Sequence, residues 1–121
     1  MLRPMRILLA EDERTISRLI KQVLSSAGHD VTGVQSGADA IEKLRTESYD
    51  LILLDLNLSD GDGMRVVEAL QARPSDPPPV VLMTGERHFE DGDPRISNVA
   101  GSLLKPCDLD ELERAVARFS A

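Results

Sequence analysis

The run Leu51-Ile52-Leu53-Leu54 constrains this chain more than any other four residues. A strand with one wet face alternates apolar and polar residues. An unbroken apolar strand is covered on both faces, which is the signature of a parallel sheet held between helices. The charged residue that follows at once, Asp55, then marks a strand end that meets water.

The remainder of the chain fits that frame. Met5–Ala10, Asp30–Val34, Val80–Met83 and Ser102–Leu104 read as further short strands. Between them lie stretches of helical period. Ile16, Leu19, Ile20, Val23, Leu24 and Ala27 make one stripe over Arg14–Ala27, read as buried, with Gly28 as its stop. Ser36 is placed to cap a second helix carrying Ala38, Ile41 and Leu44. Met64, Val67 and Leu70 mark a third, ended by Pro74, after the turn residues Asp60-Gly61-Asp62-Gly63. Leu109, Leu112, Val116 and Phe119 mark a last one, with Asp108 near its start. The segment 85–95 holds Gly85, Gly92 and Pro94 among charges and supports only a short or irregular fourth helix. Strand–helix alternation of this kind predicts an α/β doubly wound fold.

Composition narrows the function. The chain has 121 residues, enough for one domain with its own core. Its formal net charge of −7 opposes a phosphate backbone, and its three aromatics, Tyr49, Phe89 and Phe119, offer no base-stacking platform. Nucleic-acid binding by this chain alone is therefore not expected. No apolar run is long enough to cross a bilayer, so no membrane insertion is expected either. Cys107, the single cysteine, allows no internal disulfide and reads as a small core or boundary residue. The arginines near the start are not followed by a secretory apolar core, and the reading is cytoplasmic. His29 reads as a surface residue in a turn, and His88 as a solvated loop histidine.

In a doubly wound sheet, ligands sit beyond the carboxyl ends of the strands. The residues there form an unusual set: Glu11, Asp12 and Glu13 after the first strand, Asp55 at the end of the third, Thr84 after the fourth, Lys105 after the fifth. Singly, each has an ordinary reading: acids in a helix's first turn, a capping Asp or Thr, a surface Lys. Together they place carboxylates, a hydroxyl and an ammonium on one rim. Carboxylates brought close repel, and a hard divalent cation such as Mg²⁺ relieves that repulsion through oxygen ligands. An Asp carboxylate can act as nucleophile and form an aspartyl phosphate. A Lys and a Thr suit the oxygens of a transferred phosphoryl group. No Ser or His stands in a triad with a base.

The pieces Ile7-Leu8-Leu9-Ala10-Glu11-Asp12-Glu13, Asp50-Leu51-Ile52-Leu53-Leu54-Asp55, Asp62-Gly63-Met64, Val80-Val81-Leu82-Met83-Thr84 and Leu103-Leu104-Lys105-Pro106 occur in this order and spacing. Over Met5 to Phe119 the chain thereby resembles the receiver domains of two-component response regulators. The resemblance implies a single receiver domain over residues 1–121 and a five-stranded parallel sheet of order 2-1-3-4-5 with helices on both faces. It implies phosphorylation of Asp55 by a histidine kinase or phosphotransfer protein. It implies Mg²⁺ held by Asp12, Asp55 and the backbone carbonyl of Asn57, with Glu11 acting mainly through water, and Thr84 and Lys105 on the phosphoryl oxygens. It implies a cis Lys105–Pro106 bond, and a role for Asn57 and Glu86 in the lifetime of the phosphoaspartate. The domain is then a switch for a downstream protein partner or for an output domain missing from this chain. It catalyses only its own phosphorylation and dephosphorylation.

Two departures from the family pattern stand out. Ser59 replaces a common proline, which predicts a looser loop after Asp55. Ser102 replaces a common aromatic three residues before Lys105, which removes the usual partner of a moving Thr84; replacement by Phe89 folding back is the less favoured alternative. The rival reading is a phosphorylation-independent interaction module of the same fold. A small phosphatase acting on external esters lacks a second acid at position 57, which is Asn.

Overall fold

The structure, a computed structural model, describes residues 3–61, 63–72, 77–84, 99–105 and 108–120. Among the described residues five strands and four helices follow in the order β1 (Arg6–Ala10), α1 (Arg14–Ser26), β2 (Asp30–Val34), α2 (Gly37–Thr46), β3 (Leu51–Asp55), α3 (Gly63–Gln71), β4 (Val80–Thr84), β5 (Val99–Leu104) and α4 (Leu109–Ser120). All pairings are parallel, and the strand order is β2-β1-β3-β4-β5. This is the doubly wound sheet that the unbroken apolar runs predict. Every residue of β3 and β4 is buried.

The two faces of the sheet carry separate cores. Leu8, Ile52, Leu54, Val80 and Leu82 point to one face and meet Ala40 and Leu44 of α2 and Val66, Val67 and Leu70 of α3. Ile7, Leu9, Leu51, Leu53, Val81 and Met83 point to the other and meet Ile20 and Leu24 of α1 and Leu112 and Val116 of α4. Neighbouring strand residues thus feed opposite cores, as the two-residue period of a strand requires. Each Val, Leu, Ile or Met side chain so buried contributes roughly 1.5–3 kcal/mol.

Helix ends follow their local chemistry. The Ser36 hydroxyl accepts from the Asp39 N–H at 3.1 Å. Asp108 does the same for Glu111 at 2.7 Å. Past α1, Gly28 has φ of 98°. There the Gly28 and His29 N–H groups return to the carbonyls of Ser25 and Leu24 at 3.0 and 3.2 Å. That is a Schellman closure, and its left-handed residue favours glycine. Asp60 reaches the start of α2, accepting from Gly37 and Ala38 at 3.3 Å each.

Four expectations need correction. Ile16 and Leu19, read as part of the buried stripe of the first helix, are 37% and 47% exposed; the apolar stripe of α1 is wider than the face that the sheet covers. Helix α1 ends at Ser26, so Ala27 lies just outside it as the C-cap. His29 is not a surface residue: it is buried, and its Nδ1 accepts the Met5 N–H at 3.1 Å. β5 begins at Val99, not at Ser102. Its register against β4 runs Val80↔Val99 and then Val81↔Gly101, so Ala100 is an extra residue in a bulge. The expectations placed on Pro74, Gly85, Glu86, His88, Phe89, Pro106 and Cys107, including the fourth helix and the cis peptide, lie outside the described residues.

Candidate phosphoacceptor and metal site

Because all five strands are parallel, their carboxyl ends share one rim, and the residues that end or follow β1, β3, β4 and β5 lie on it. Glu11 follows β1, its N–H held by the Val34 carbonyl at 3.1 Å. Asp55 ends β3, and the pairing runs one residue further through the Leu56 N–H to the Met83 carbonyl at 2.9 Å. Thr84 ends β4, and its carbonyl accepts the Lys105 N–H at 2.7 Å. The sheet itself therefore sets the spacing of Glu11, Asp55 and Lys105.

Glu11, Asp55 and Thr84 are buried, while Asp12 and Lys105 are partly exposed. Glu11, Asp12 and Asp55 each bring a carboxylate oxygen to within 4.8 Å of the others. The Lys105 ammonium donates to Asp55 Oδ2 at 2.8 Å and to Glu11 Oε2 at 3.1 Å. Each carboxylate also has its own backbone donor. The Glu13 N–H reaches Glu11 Oε1 at 3.2 Å, the Ser59 N–H reaches Asp12 Oδ2 at 2.9 Å, and the Asn57 N–H reaches Asp55 Oδ1 at 2.9 Å.

The electrostatics of this arrangement are unbalanced. Burial, aided by the nearby Asp55 charge, raises the proton affinity of Glu11 despite its bond to Lys105. Burial disfavours the Lys105 charge, but hydrogen bonds and attraction from Asp55 and Glu11 outweigh it, and the Lys105 pKa lies above its ordinary value. Among the described residues one ammonium stands with three carboxylates, which leaves surplus negative charge in a partly dry site. A donor set of oxygens alone, with that surplus, fits a hard divalent cation of the Mg²⁺ type.

The structure brings Glu11, Asp12, Asp55, Thr84 and Lys105 to one place. Asn57 joins them through its backbone N–H, and its side chain is exposed. For Ser59, sequence reasoning missed the contact with Asp12. Instead of loosening the loop, Ser59 ties it down, because its N–H and its hydroxyl both donate to Asp12 Oδ2. No motif marks this contact, which joins residues 47 apart. Ser102 is exposed on β5. Beside the acidic rim, Ile16, Leu19, Met83, Leu109 and Leu112 line an apolar groove of about 410 Å³ that reaches Lys105.

A family model for the response regulator receiver domain matches residues 7–117, and the chain belongs to that family. It is 36% identical over 97% of its length to the transcriptional regulatory protein TctD of Salmonella typhimurium, and covers 54% of that protein. It is 34% identical over 89% of its length to the regulatory protein LuxO of Vibrio vulnificus, and covers 24% of it. The chain thus spans about half and about a quarter of these relatives. Among solved structures, a CheY-like receiver domain from Methylobacillus flagellatus superposes with a TM-score of 0.80 at 28% identity, covering 98% of this chain and 99% of that one. The response regulator TrrA from Thermotoga maritima, in complex with Mg²⁺-BeF, superposes with a TM-score of 0.81 at 26% identity, covering 94% and 97%. Among the described residues no helix is long and apolar enough to cross a membrane.

Proposed function

We propose that this receiver domain accepts a phosphoryl group on Asp55 from a phosphohistidine of a histidine kinase or phosphotransfer protein, with Mg²⁺ present. The observation that carries the reading is the buried Asp55 carboxylate, 2.8 Å from the Lys105 ammonium and clustered with Glu11 and Asp12. In the transfer, a carboxylate oxygen of Asp55 bonds to phosphorus while the P–N bond to the donor imidazole breaks. The electron pair of that bond returns to the imidazole nitrogen. The bound cation supplies positive charge for the phosphoryl oxygens.

The chain's own residues do the rest. Asp12, Asp55 and the Asn57 carbonyl are the proposed metal ligands, with Glu11 acting through water. The Asn57 N–H orients the Asp55 carboxylate. Lys105 neutralises charge brought by the phosphoryl group, and Thr84 hydrogen-bonds to it. The new charge and hydrogen bonds bias a surface that a downstream protein or output domain reads. The exposed Ile16 and Leu19 beside the site support a macromolecular donor, whose apolar surface would cover them. The domain acts as a switch and not as an enzyme on an external substrate, and we place it in the cytoplasm.

Intact mass after incubation with acetyl phosphate tests this. The expected result is a gain of one phosphoryl group that requires Mg²⁺ and is lost in Asp55→Asn. No gain from either acetyl phosphate or a phosphorylated histidine donor, with the fold intact, would favour a phosphorylation-independent interaction module.

A further inference from the structure

Each of the three clustered carboxylates has one backbone N–H, but their second partners differ. Lys105 reaches Glu11 and Asp55. Asp12 is held by a neutral group instead, the Ser59 hydroxyl, which donates to the same Oδ2 that accepts the Ser59 N–H. Asp12 lies in the turn between β1 and α1 and is only half buried. Its neighbours Glu11 and Asp55 are buried in place. A half-exposed Asp side chain samples several rotamers unless something fixes it. Two donors from one residue on one oxygen fix both the rotamer and the plane of the carboxylate, and leave Oδ1 unengaged by Ser59. Ser59 also stands four residues after Asp55 on the same loop, so the contact ties the acceptor loop to the turn that carries Asp12.

We propose that Ser59 is a positioning residue of the metal site, holding the Asp12 carboxylate through Oδ2 so that Oδ1 faces the cation. The inference rests on the reading of Glu11, Asp12 and Asp55 as the Mg²⁺ site. Groups that orient a metal ligand from behind typically govern about 10–100-fold of metal affinity. The backbone N–H survives in Ser59→Ala, so the expected loss lies at the low end, about tenfold.

The test is calorimetric titration of Mg²⁺ into the unaltered protein, Ser59→Ala and Ser59→Thr, with thermal unfolding in EDTA to compare the folds. Ser59→Ala is expected to bind Mg²⁺ about tenfold more weakly while unfolding near the unaltered protein's temperature. Ser59→Thr keeps the hydroxyl and is expected to restore the affinity. The carboxyl carbon resonance of Asp12 is expected to move in Ser59→Ala without metal and to return in Ser59→Thr, which a merely structural role would not produce. Equal or tighter Mg²⁺ binding by Ser59→Ala, beside normal binding by the unaltered protein, would overturn the role of Ser59 and leave the metal site standing. Absence of Mg²⁺ binding by the unaltered protein would overturn both.

Discussion

The Lys105 ammonium lies 2.8 Å from Asp55 Oδ2, so the end of β5 supplies the counter-charge for the end of β3 across the intervening β4. The same ammonium serves Glu11 at 3.1 Å. Lys105→Met keeps much of the apolar stem but strands two buried carboxylates. Without divalent cation the variant is expected to lose at least about 1–3 kcal/mol of stability, the cost of leaving one buried polar group unpaired, which is larger for charged groups. Mg²⁺ supplies the missing charge, so the deficit should shrink when the cation is saturating. Urea unfolding in EDTA and in Mg²⁺ reads both numbers. An equal deficit in the two conditions would mean that Lys105 and the cation do not share these carboxylates.

Metal binding should depend on pH through Glu11. Its carboxyl is raised above the ordinary 4.5, chiefly by burial and then by the Asp55 charge. A proton there displaces the negative charge that attracts a cation. Mg²⁺ affinity should therefore be flat at alkaline pH and fall as pH drops through the raised value, before reaching 4.5. Without metal the same shift means that the native state holds the Glu11 proton more tightly than the unfolded chain. Through that window, this group makes stability fall as pH rises. Calorimetry in buffers of different ionisation heats should show proton release on Mg²⁺ binding inside the window and none well above it. Glu11→Gln should abolish the release.

How much of this could be read in the sequence follows from what sets each feature. The parallel sheet and the rim were legible because an unbroken apolar run such as Leu51–Leu54 admits few environments, and parallel strands send their ends to one side; the strand order was legible only through the family resemblance. Glu11, Asp12, Asp55, Thr84 and Lys105 were legible for the same reason: each ends a strand or follows one within two residues. Contacts between distant loops left no such mark. Ser59 meets Asp12 only because two turns from different strands converge. The start of β5 was missed because Val99-Ala100-Gly101 carries no strand alternation and contains a bulge. Ile16 and Leu19 share the helical period of Ile20 and Leu24, and periodicity alone does not say where the covering surface stops.

Gly63 is expected to be sensitive because of its distance to the acceptor loop, not because of its backbone angle. A Cβ at Gly63 would lie 2.9 Å from the carbonyl carbon of Leu56 and closer still to its oxygen. Leu56 directly follows Asp55, so relief of this clash must move the loop that holds the acceptor. Gly63→Ala should cost about 1–3 kcal/mol, as overpacking does, and should also weaken Mg²⁺ binding. Gly61 is the control: its φ is 74°, but a Cβ there meets nothing within 4 Å. Gly61→Ala should cost about 1 kcal/mol for its left-handed backbone and leave Mg²⁺ affinity nearly unchanged. Denaturation and Mg²⁺ titration of the two variants separate the effects; similar metal affinities would show that the loop absorbs the methyl group elsewhere.

His29 anchors the other end of the same strands. Met5 is buried just before β1, and its carbonyl accepts the Asp30 N–H at 2.9 Å. Its own N–H has the His29 Nδ1 as acceptor at 3.1 Å. The imidazole thus replaces a ladder partner where β1 meets β2. His29→Ala removes both the acceptor and the ring, whereas His29→Phe keeps a ring of similar size without the acceptor. If the hydrogen bond matters, both variants should lose stability, and His29→Phe alone should lose about 1–3 kcal/mol for the stranded Met5 N–H. Amide exchange at Met5 should accelerate in both. A His29→Phe variant as stable as the unaltered protein, with Met5 exchange unchanged, would show that the ring acts there only as filler.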